Sequence, residues 1–425
     1  MEKPSQPESK VWATRFFTIW TGQAFSLFGS ALVQFALIWW LTQKSGSATV
    51  LAIATLVGML PQIVLGPFAG ALVDRWNRRL IMMIADATIA AFSLLLAWLF
   101  ATGNVQIWHV YLVMAIRSLG GAFHFPAMAA STPLMVPEQH LTRVNGLNQA
   151  LQGINSLIAP PVGAVLLGVL PTQGILLIDV GTAMLAILPL LFLSIPQPLR
   201  HEDPLAPNKN LLHDIRDALA YIRTLPGFTA VIFMALFLNF LLVPTGALAP
   251  LLVTKHFGKG ALDLAFLESA MGVGIIAGGI LLGIWGGFKK KIVTSIIGIM
   301  GLGIGVMLTG LAPANLFFLA IVGYVVLGFT VPMANGPLGA LMQSIVRPDM
   351  QGRVMALVQS GATAISPLGL LIAGPFSDLF GIRLWFWAGG MLCVLIAIGA
   401  LFVPAIMNVE NMREVTPVTP ATDQI

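Results

Sequence analysis

Long runs of uncharged, mostly apolar residues alternate with short polar turns along the chain. Long intervals without Asp, Glu, Lys or Arg include Phe16–Leu41, Ser45–Val73, Val144–Ile178, Thr224–Thr254 and Ile292–Val346. A helix needs ~20 apolar residues to cross the ~30 Å hydrocarbon core of a bilayer, and it pairs its backbone polar groups internally, as lipid requires. The sequence lacks the alternating segments of a transmembrane barrel. The pattern therefore predicts membrane-spanning helices.

Charged residues, Pro and Gly breaks and run lengths divide the chain into twelve predicted spans. The uncharged run from Ile292 is long enough for two helices, and LAPAN at 311–315 supplies the turn between them. The predicted spans are 16–41, 50–73, 80–101, 107–127, 144–169, 174–195, 228–251, 262–286, 292–311, 315–337, 353–378 and 384–404. We therefore expect an all-α membrane protein with twelve transmembrane helices.

The composition agrees with lipid as the outer solvent. Of the 425 residues, 57% are hydrophobic and 9% are charged, and the mean hydropathy is +0.89; a soluble protein carries about a quarter charged residues. The net charge of +5 does not indicate nucleic-acid binding, because the basic residues lie in short loops between apolar runs. A single cysteine, Cys393, excludes an internal disulfide and a cysteine-based metal site. We expect no metal and no other cofactor.

Lysine and arginine are unevenly distributed between the two sets of loops. If both termini face the cytoplasm, 17 of the 22 basic residues lie in cytoplasmic segments and four lie in outer loops. The positive-inside rule therefore predicts a multi-pass membrane protein with cytoplasmic terminal segments at 1–15 and 405–425. The first apolar segment is too long for a signal-peptide core, so we expect it to be retained as a helix.

The longest hydrophilic interruption, 196–227, separates two sets of six predicted spans. In its second part, LLHDIRDALAYIRTLPGF, five apolar residues fall on one helical face: Leu211, Leu212, Ile215, Leu219 and Ile222. This segment is predicted to be a cytoplasmic linker with an amphipathic helix on the inner membrane surface. It joins a predicted N-terminal bundle, 16–195, to a predicted C-terminal bundle, 228–404.

The two halves resemble each other at corresponding positions. RVNGLNQ at 143–149 and RVMALVQ at 353–359 share Arg, Val, Leu and Gln in register, 210 residues apart. Parallel six-helix repeats are one construction of membrane transporters, with the substrate site near mid-membrane at the repeat interface. We therefore expect two pseudo-symmetric six-helix bundles, although apolar helices can also resemble each other by chance.

Glycine spacing in GVGIIAGGILLGIWGG (272–287) predicts close helix packing. Three pairs are four residues apart: Gly274/Gly278, Gly279/Gly283 and Gly283/Gly287. Small residues at this spacing let helix backbones approach closely. Static packing and sliding of helices both remain open.

A concentration of charge follows the second predicted span, in GALVDRWNRR at 70–79. This stretch resembles the loop motif of the major facilitator superfamily, Gly-x-Leu-x-Asp-Arg-x-Gly-Arg-(Lys/Arg). The matching residues are Gly70, Leu72, Asp74, Arg75, Arg78 and Arg79. Asn77 replaces the usual glycine, and because asparagine tolerates a left-handed backbone better than most residues, we expect the turn to survive the replacement.

Longer stretches resemble the macrolide efflux proteins of bacteria, in the drug–proton antiporter branch of that superfamily. The stretches are IWTGQAFSLFGSALVQFALIWWLTQKSGSATVLA, RSLGGAFHFPAMAASTPLMVPEQHLT and GIIAGGILLGIWGGF. The resemblance implies a twelve-helix exporter in a bacterial cell membrane, which uses the proton gradient to export bulky amphiphilic compounds. It also implies that the protein works as a monomer surrounded by membrane lipid. Relatives with the same motifs export siderophores or other metabolites, so this alternative stays open.

The resemblance assigns the charged turn to an inner gate, a charge latch between the second and eleventh spans. We predict that this gate contains Gly70, Asp74, Arg75, Arg78 and Arg79, with Asp86 as a further member. A carboxylate on this side can meet the positive N-terminal end of a neighbouring helix. Topological anchoring is the alternative, but it explains the arginines and not the Asp.

Three charged residues inside predicted spans are candidates for proton coupling: Arg117, Asp179 and Glu268. A charge at the centre of a membrane helix costs ~2.5–3.5 kcal/mol, so it is expected to face a partner or a cavity. Proton antiport needs a group whose protonation changes as access alternates. Static buried ion pairs or hydrogen bonds near the interface are the alternative roles. His124 is a weaker candidate for proton transfer, because a single helical histidine is more often a core residue.

A substrate cavity between the halves is expected to be lined by aromatic and amide side chains. The candidates are Gln23, Gln34, Phe35, Gln152, Asn239, Phe240 and Gln359. Each of them could instead form a helix–helix contact. A site with few charges favours a neutral or monocationic bulky compound.

A membrane enzyme that acts on lipid-linked substrates is the alternative from a different functional class. Such an enzyme needs a loop with clustered acids, histidines or a phosphate-binding turn, and the predicted outer loops are too short for one. The sequence also lacks a Walker phosphate loop, which argues against direct use of ATP. A secondary transporter is therefore favoured over an enzyme.

Overall fold

Membrane-length helices make up the protein, as the sequence predicts. The structure, a computed structural model, describes residues 11–197, 211–347 and 350–410. Within this part of the chain, twelve helices are long and apolar enough to cross a membrane, and no residue lies in a β-strand. The predicted all-α fold with twelve spans is confirmed.

Two short helices accompany the twelve long ones. They are α7, which lies between the sixth and seventh spans, and α14, which follows the last span. The helices are α1 (Val11–Ser45), α2 (Ala48–Arg75), α3 (Arg78–Ala101), α4 (Ile107–Met135), α5 (Leu141–Val169), α6 (Thr172–Phe192), α7 (Leu211–Arg223), α8 (Pro226–Leu251), α9 (Ala261–Trp285), α10 (Lys291–Leu311), α11 (Phe317–Ile345), α12 (Gln351–Phe380), α13 (Ile382–Leu401) and α14 (Pro404–Met407). A π-helical turn, Leu252–His256, follows α8.

Two helices extend well past their predicted ends. α4 continues to Met135 instead of ending at 127, and it contains Pro126 and Pro133. α11 continues to Ile345 instead of ending at 337, and it also contains two prolines. The prediction ended both spans beside a proline. Membrane helices tolerate proline because neighbouring helices and ordered water satisfy the freed backbone groups.

The described chain divides into two compact units. Unit 1 contains the described residues up to 197 together with 247–269, and unit 2 contains 211–246 and the described residues from 270 onward. Residues 247–269 contain the end of α8, the following turn and the start of α9, so the units differ there from the predicted bundles. The predicted bundle limits, 16–195 and 228–404, stay predictions. Of the predicted terminal segments and linker, residues 1–10, 198–210 and 411–425 lie outside the described residues.

The sequence repeat corresponds to a repeat of helices. α4 and α11 both have 29 residues; their starts (107 and 317) and their ends (135 and 345) are both 210 residues apart. α5 and α12 also start 210 residues apart, at 141 and 351. In unit 1, α3 packs against α4 and α6, and in unit 2, α10 packs against the corresponding helices, α11 and α13.

The turn between α2 and α3 contains no left-handed residue. Asn77 has φ −69° and ψ 109°, and its side chain accepts hydrogen bonds from the backbone N–H groups of Arg79 (3.1 Å) and Leu80 (3.3 Å). Asn77 is therefore the N-cap of α3. The turn survives the replacement without a left-handed residue, because a capping residue has an extended backbone and its side chain satisfies the first free N–H groups of the helix.

The amphipathic helix α7 is present, and one residue of its predicted apolar face, Ile222, is buried in protein. Ala218 and Ile222 are buried in the core of unit 2, whereas Leu219 is 43% exposed. Asp217 also forms an ion pair with Arg353 in the first turn of α12, at 3.5 Å. The helix therefore packs on protein through the face that contains Ala218 and Ile222. The side chains of the other predicted apolar positions, Leu211, Leu212 and Ile215, lie outside the described part of the structure.

One of the three predicted glycine pairs makes a close helix contact. Gly274 and Gly278 of α9 lie against the backbone of α11, where a methyl group on either would overlap the carbonyl oxygen of Val325 or Phe329. The absence of a side chain at Gly274 and Gly278 therefore lets α9 and α11 approach each other closely, as expected for small residues four positions apart.

The other two predicted pairs do not pack in this way. Side chains at Gly279 and Gly283 would have open space around them. Gly287 lies beyond the end of α9 with φ +84°, where its role is conformational.

A methyl group at Gly278 tests the contact between α9 and α11. We expect Gly278→Ala to lower the free energy of unfolding by about 1–3 kcal/mol, the usual cost of overpacking, because the new Cβ has no space beside the Phe329 carbonyl. Thermal unfolding of the purified protein in detergent measures the change. Gly279→Ala is the matched control, since its Cβ would meet open space. Equal unfolding midpoints for the two variants would contradict the contact.

Candidate functional site

A core of polar side chains lies inside unit 1. Three of its helices each carry two polar residues seven positions apart: Gln23 and Ser30 on α1, Asp86 and Ser93 on α3, and Arg117 and His124 on α4. Residues at this spacing lie on one face of a helix, about 10.5 Å apart along its axis. The three helices therefore hold polar groups at two levels. We call them the Arg117 cluster (Ser30, Ser93, Arg117 and Asp179) and the Asp86 cluster (Gln23, Asp86 and His124).

The Arg117 cluster pairs every charge that it contains. Arg117 Nη1 donates to Asp179 Oδ2 at 2.5 Å and to Ser93 Oγ at 2.7 Å, and Nη2 donates to the Ser30 carbonyl oxygen at 3.3 Å. Asp179 also accepts hydrogen bonds from Ser93 Oγ (2.9 Å) and Ser30 Oγ (3.2 Å). The side chains of Arg117 and Asp179 are 9% and 1% exposed. Buried charges are retained only when they are paired and hydrogen-bonded in this way.

The Asp86 cluster contains a carboxylate whose only charged or chargeable partner, among the described residues, is a histidine. Gln23 Nε2 donates to Asp86 Oδ2 at 3.0 Å, and His124 Nε2 lies 2.8 Å from Gln23 Oε1 and 3.5 Å from Asp86 Oδ1. An amide oxygen can only accept, so this contact assigns the proton of neutral His124 to Nε2. All three side chains are buried, and Gln23 is 0% exposed.

A cavity of about 300 Å³ is lined by both clusters. Its lining includes Gln23, Asp86, Arg117 and His124. The hydroxyl of Ser118, which also lines it, is buried and has no hydrogen-bond partner among the described residues. A polar cavity of this size has room for several water molecules, each needing two to four polar partners. The cavity can therefore hold water or the polar part of a ligand against titratable groups.

Two of the three residues predicted for proton coupling come together, and the third does not. Arg117 and Asp179, which are 62 residues apart in sequence, form the buried ion pair described above. Glu268 is half-buried on α9 and forms no hydrogen bond or ion pair within the described parts of the chain. The next residue, Ser269, donates a hydrogen bond to the Leu157 carbonyl oxygen at 3.3 Å.

Asp86, which was predicted as part of the gate, lies in the polar core. Its carboxylate contacts Gln23 and His124, and it is eight residues, or ~12 Å, along α3 from Arg78. This placement favours a role inside unit 1 over membership of a latch. For Gly70, Asp74 and Arg75 the structure describes only the backbone, as the end of α2, so the latch stays a prediction.

The two arginines at the start of α3 bind the ends of other helices. Arg78 Nη1 donates to the Ala130 carbonyl oxygen near the end of α4, at 2.8 Å. Arg79 donates through Nε to the Leu190 carbonyl and through Nη2 to the Leu191 carbonyl (2.8 Å), in the last turn of α6. Leu190 and Leu191 are among the last four carbonyl groups of α6, which lack intrahelical donors and form the negative end of its dipole, whereas Ala130 lies five residues before the end of α4. These arginines therefore join α3 to α4 and α6.

The residues predicted for the substrate cavity from the first half of the chain are not gathered in one place. Gln23 and Gln34 line the cavity of unit 1. Phe35 is buried on α1, where its ring lies 3.0 Å from the position of a Cβ on Gly163 of α5. Gln152 is exposed on α5 and lines neither this cavity nor that of unit 2.

Unit 2 contains a second cavity, of about 500 Å³. Its lining is mostly aliphatic, with polar groups from Asn239, Tyr324 and Asn335, and none of the lining residues is charged. Phe240 is not among them, and its ring stacks on a neighbouring phenylalanine of α8, with 5.8 Å between centroids. Gln359 is exposed on α12.

The sequence interpretation missed Ser30 and Ser93. Each lies seven positions after a residue that contributes to the Asp86 cluster, on the same helix face. The missed signal is this spacing, which recurs in α1, α3 and α4. A hydroxyl group in a membrane helix commonly bonds its own backbone, so a single serine carries no such signal.

Comparison with a protein-family model gives a match to the Major Facilitator Superfamily, over residues 19–366 and 243–418. The chain is 37% identical to Macrolide efflux protein A of Streptococcus pyogenes over 387 residues, which cover 91% of this chain and 95% of that protein. It is 35% identical to Macrolide efflux protein A of Enterococcus faecalis over 76% of this chain and 100% of that protein. It is 26% identical to the Multidrug efflux pump Tap of Mycolicibacterium fortuitum over 90% of this chain and 94% of that protein.

Solved transporter structures share the fold at low sequence identity. A bacterial homolog to the human lysosomal transporter Spinster, in an inward-facing and unoccupied conformation, superposes with a TM-score of 0.71 at 14% identity, covering 97% of this chain and 100% of that chain. A D-xylose-proton symporter gives a TM-score of 0.67 at 15% identity, covering 90% and 96%. These two similarities show the fold alone.

Removal of either charge from the Arg117–Asp179 pair leaves the other buried without a partner. We expect Arg117→Met and Asp179→Leu each to lower the free energy of unfolding by about 3–5 kcal/mol. The double variant should be less destabilised than the sum of the two, because no charge is then stranded. Thermal unfolding in detergent measures all three.

The exposed pair Lys259–Asp263, at 3.4 Å, provides the control for this cycle. Asp263→Leu is expected to change the free energy of unfolding by no more than about 1 kcal/mol. Strictly additive effects at Arg117 and Asp179 would contradict a coupled buried pair.

Proposed function

The chain belongs to the major facilitator superfamily, and we propose that it exports bulky amphiphilic compounds of the macrolide type in exchange for protons. It is an efflux transporter and a multi-pass membrane protein. The observation that carries the proposed substrate is the 37% identity to Macrolide efflux protein A, over 91% of this chain. Export of a siderophore or another metabolite by the same mechanism is the alternative.

The cavity of unit 2 supports an uncharged or weakly charged, bulky substrate. Sites for such compounds are mostly apolar, with a few polar groups that fix orientation. The aliphatic lining with Asn239, Tyr324 and Asn335 has this composition, and no charged residue lines it. Asn239 is therefore retained as a proposed substrate contact, and Gln152 and Gln359, which are exposed on α5 and α12, also stay proposed contacts.

The proposed energy source is the proton gradient, with no cofactor. Ionisable groups inside membrane spans are costly and usually functional, and this chain has several of them in unit 1. Arg117, Asp179 and Glu268 remain the candidates from the sequence for proton coupling. The saturated contacts of Asp179 favour a positioning role for the Arg117 cluster, which holds α1, α3, α4 and α6 together.

The proposed orientation has both termini in the cytoplasm, so that the turn between α2 and α3 faces the cytoplasm. There, Asp74 and Arg75 would form the inner latch against the start of α12, and the protein would work as a monomer. The hydrogen bonds from Arg78 and Arg79 to carbonyl groups of α4 and α6 support this role, because they hold the start of α3, which follows the latch residues, in a fixed position.

Expression in a macrolide-sensitive bacterium tests the proposed function. We expect cells that make the protein to accumulate several-fold less labelled macrolide than cells with an empty vector, because the compound is pumped out. A protonophore that collapses the gradient should restore accumulation to the control level. Equal accumulation with and without the protein would favour the metabolite alternative, and export that survives the protonophore would exclude proton coupling.

Neutralising the proposed latch tests the gate. We expect Asp74→Asn to reduce macrolide export at least tenfold while the variant reaches the membrane in normal amounts, because an amide cannot hold the charge-dependent contact. The control is Asp263→Asn, which removes a carboxylate from an exposed ion pair. Normal export by Asp74→Asn, measured in the same accumulation assay, would remove Asp74 from the gate.

A further inference from the structure

We propose that the Asp86 cluster is the proton-binding site of the transporter, with Asp86 and His124 sharing the transported proton under the control of Gln23. This inference rests on the proposed proton-coupled export. It differs from the sequence prediction, which sought the proton carrier at Asp179 or Glu268 and put Asp86 in the gate.

Among the described residues of unit 1, the buried carboxylates of Asp86 and Asp179 have partners of different kinds. Asp179 accepts hydrogen bonds from a permanently charged guanidinium and from the hydroxyl groups of Ser30 and Ser93. An arginine does not lose its proton in proteins, so the Arg117 guanidinium stays charged beside the Asp179 carboxylate, and the two charges neutralise each other. The partner of Asp86 is His124, and histidine is the side chain that most readily gains or loses a proton near neutral pH.

The charge of the Asp86 cluster therefore changes with one proton. With a carboxylate and a neutral imidazole the cluster carries one negative charge, and the uptake of a proton from water makes it neutral. A net charge buried in a membrane protein is costly. The cluster is therefore expected to take up a proton when it is closed off from water and to release the proton when water can solvate the negative charge. The proton returns to water on release, and no other reactant is needed.

Gln23 suits both protonation states. Its amide N–H group donates to Asp86 Oδ2 (3.0 Å), and its amide oxygen accepts from His124 Nε2 (2.8 Å), while His124 Nε2 is also 3.5 Å from Asp86 Oδ1. The proton on Nε2 can therefore be shared with the Asp86 carboxylate by a small movement of the imidazole ring. Nδ1 is left to take up the additional proton from water.

The neighbouring helices bring no other unpaired charge to this cluster, within the described residues. From α4 and α6 the charged groups are Arg117 and Asp179, which neutralise each other. From α1 and α2, the side chains that line the shared cavity are uncharged, among them Gln34, Thr55 and Gln62.

The 300 Å³ cavity provides a route for water to the cluster. Asp86 and His124 both line it, and so does the buried Ser118 hydroxyl, which lacks a protein partner within the part of the chain that the structure describes. An unsatisfied buried hydroxyl beside a polar cavity indicates bound water. Water there would connect the cluster to solution.

Proteoliposomes with the purified protein test the assignment. In wild type, an imposed pH gradient should drive uphill accumulation of labelled macrolide, and macrolide on the two sides should exchange without a gradient. We expect Asp86→Asn to lose gradient-driven accumulation by at least tenfold and to keep exchange within a few-fold of wild type. Asp263→Asn, which removes a carboxylate that does not line this cavity, should keep both activities.

The outcomes separate this inference from the proposed function. No gradient-driven accumulation by wild type would refute proton-coupled export itself. Gradient-driven accumulation that persists in Asp86→Asn, and is lost in Asp179→Asn or Glu268→Gln with exchange retained, would overturn this inference alone.

A second variant decides the matter if Asp86→Asn does not fold, which size-exclusion chromatography in detergent would reveal. His124→Gln keeps a hydrogen-bond donor towards Gln23 but cannot be protonated in this pH range. We expect its exchange rate to lose the pH dependence that wild type shows between about pH 5 and 8, the range in which histidine titrates. An unchanged pH profile would exclude His124 from the proton site.

Discussion

A guanidinium group inside a membrane-spanning helix constrains everything packed around it. Its insertion costs ~2.5–3.5 kcal/mol, and the group cannot escape by losing its proton. Here Arg117 meets this constraint with Asp179 and with hydrogen bonds from its guanidinium to Ser93 and Ser30. Because those partners come from α1, α3 and α6, one buried charge joins four helices at one level of unit 1.

The same faces of α1, α3 and α4 then carry a second set of polar groups two helical turns away. Once the Arg117 cluster fixes the rotation of each helix, Gln23, Asp86 and His124 must also face each other. The Arg117 cluster thus positions the Asp86 cluster, which is the cluster proposed to change its charge. At the end of the unit, Arg78 and Arg79 bind the carbonyl groups of α4 and α6, which fastens the same helices again.

The spans and the repeat could be predicted from the sequence because both depend on local properties. Hydropathy defines each span by itself, and the motifs at 143–149 and 353–359 mark α5 and α12, which begin 210 residues apart, at 141 and 351. The observed ends of α4 and α11 could not be predicted. The prediction ended these spans near Pro126 and Pro337, whereas a helix inside a membrane bundle can continue past a proline.

The site was predicted in part. Arg117 and Asp179 were identified because a charge in a span is conspicuous, but their pairing depends on how α4 packs near α6, which no local pattern specifies. Ser30 and Ser93 were missed because serine is common in membrane helices. The buried face of α7 was predicted in part: Ile222 is buried, but hydropathy ranks Leu219 above Ala218, and the structure buries Ala218 and exposes Leu219.

The account as a whole requires that macrolide and protons move in opposite directions through one protein. The most direct test uses proteoliposomes that start with equal pH on both sides and a macrolide gradient alone, with a pH-sensitive dye in the lumen. The account predicts that macrolide flow in one direction drives protons in the other, so that the lumen becomes more acidic as macrolide leaves it. Macrolide flow through the protein with no change in lumen pH would contradict it.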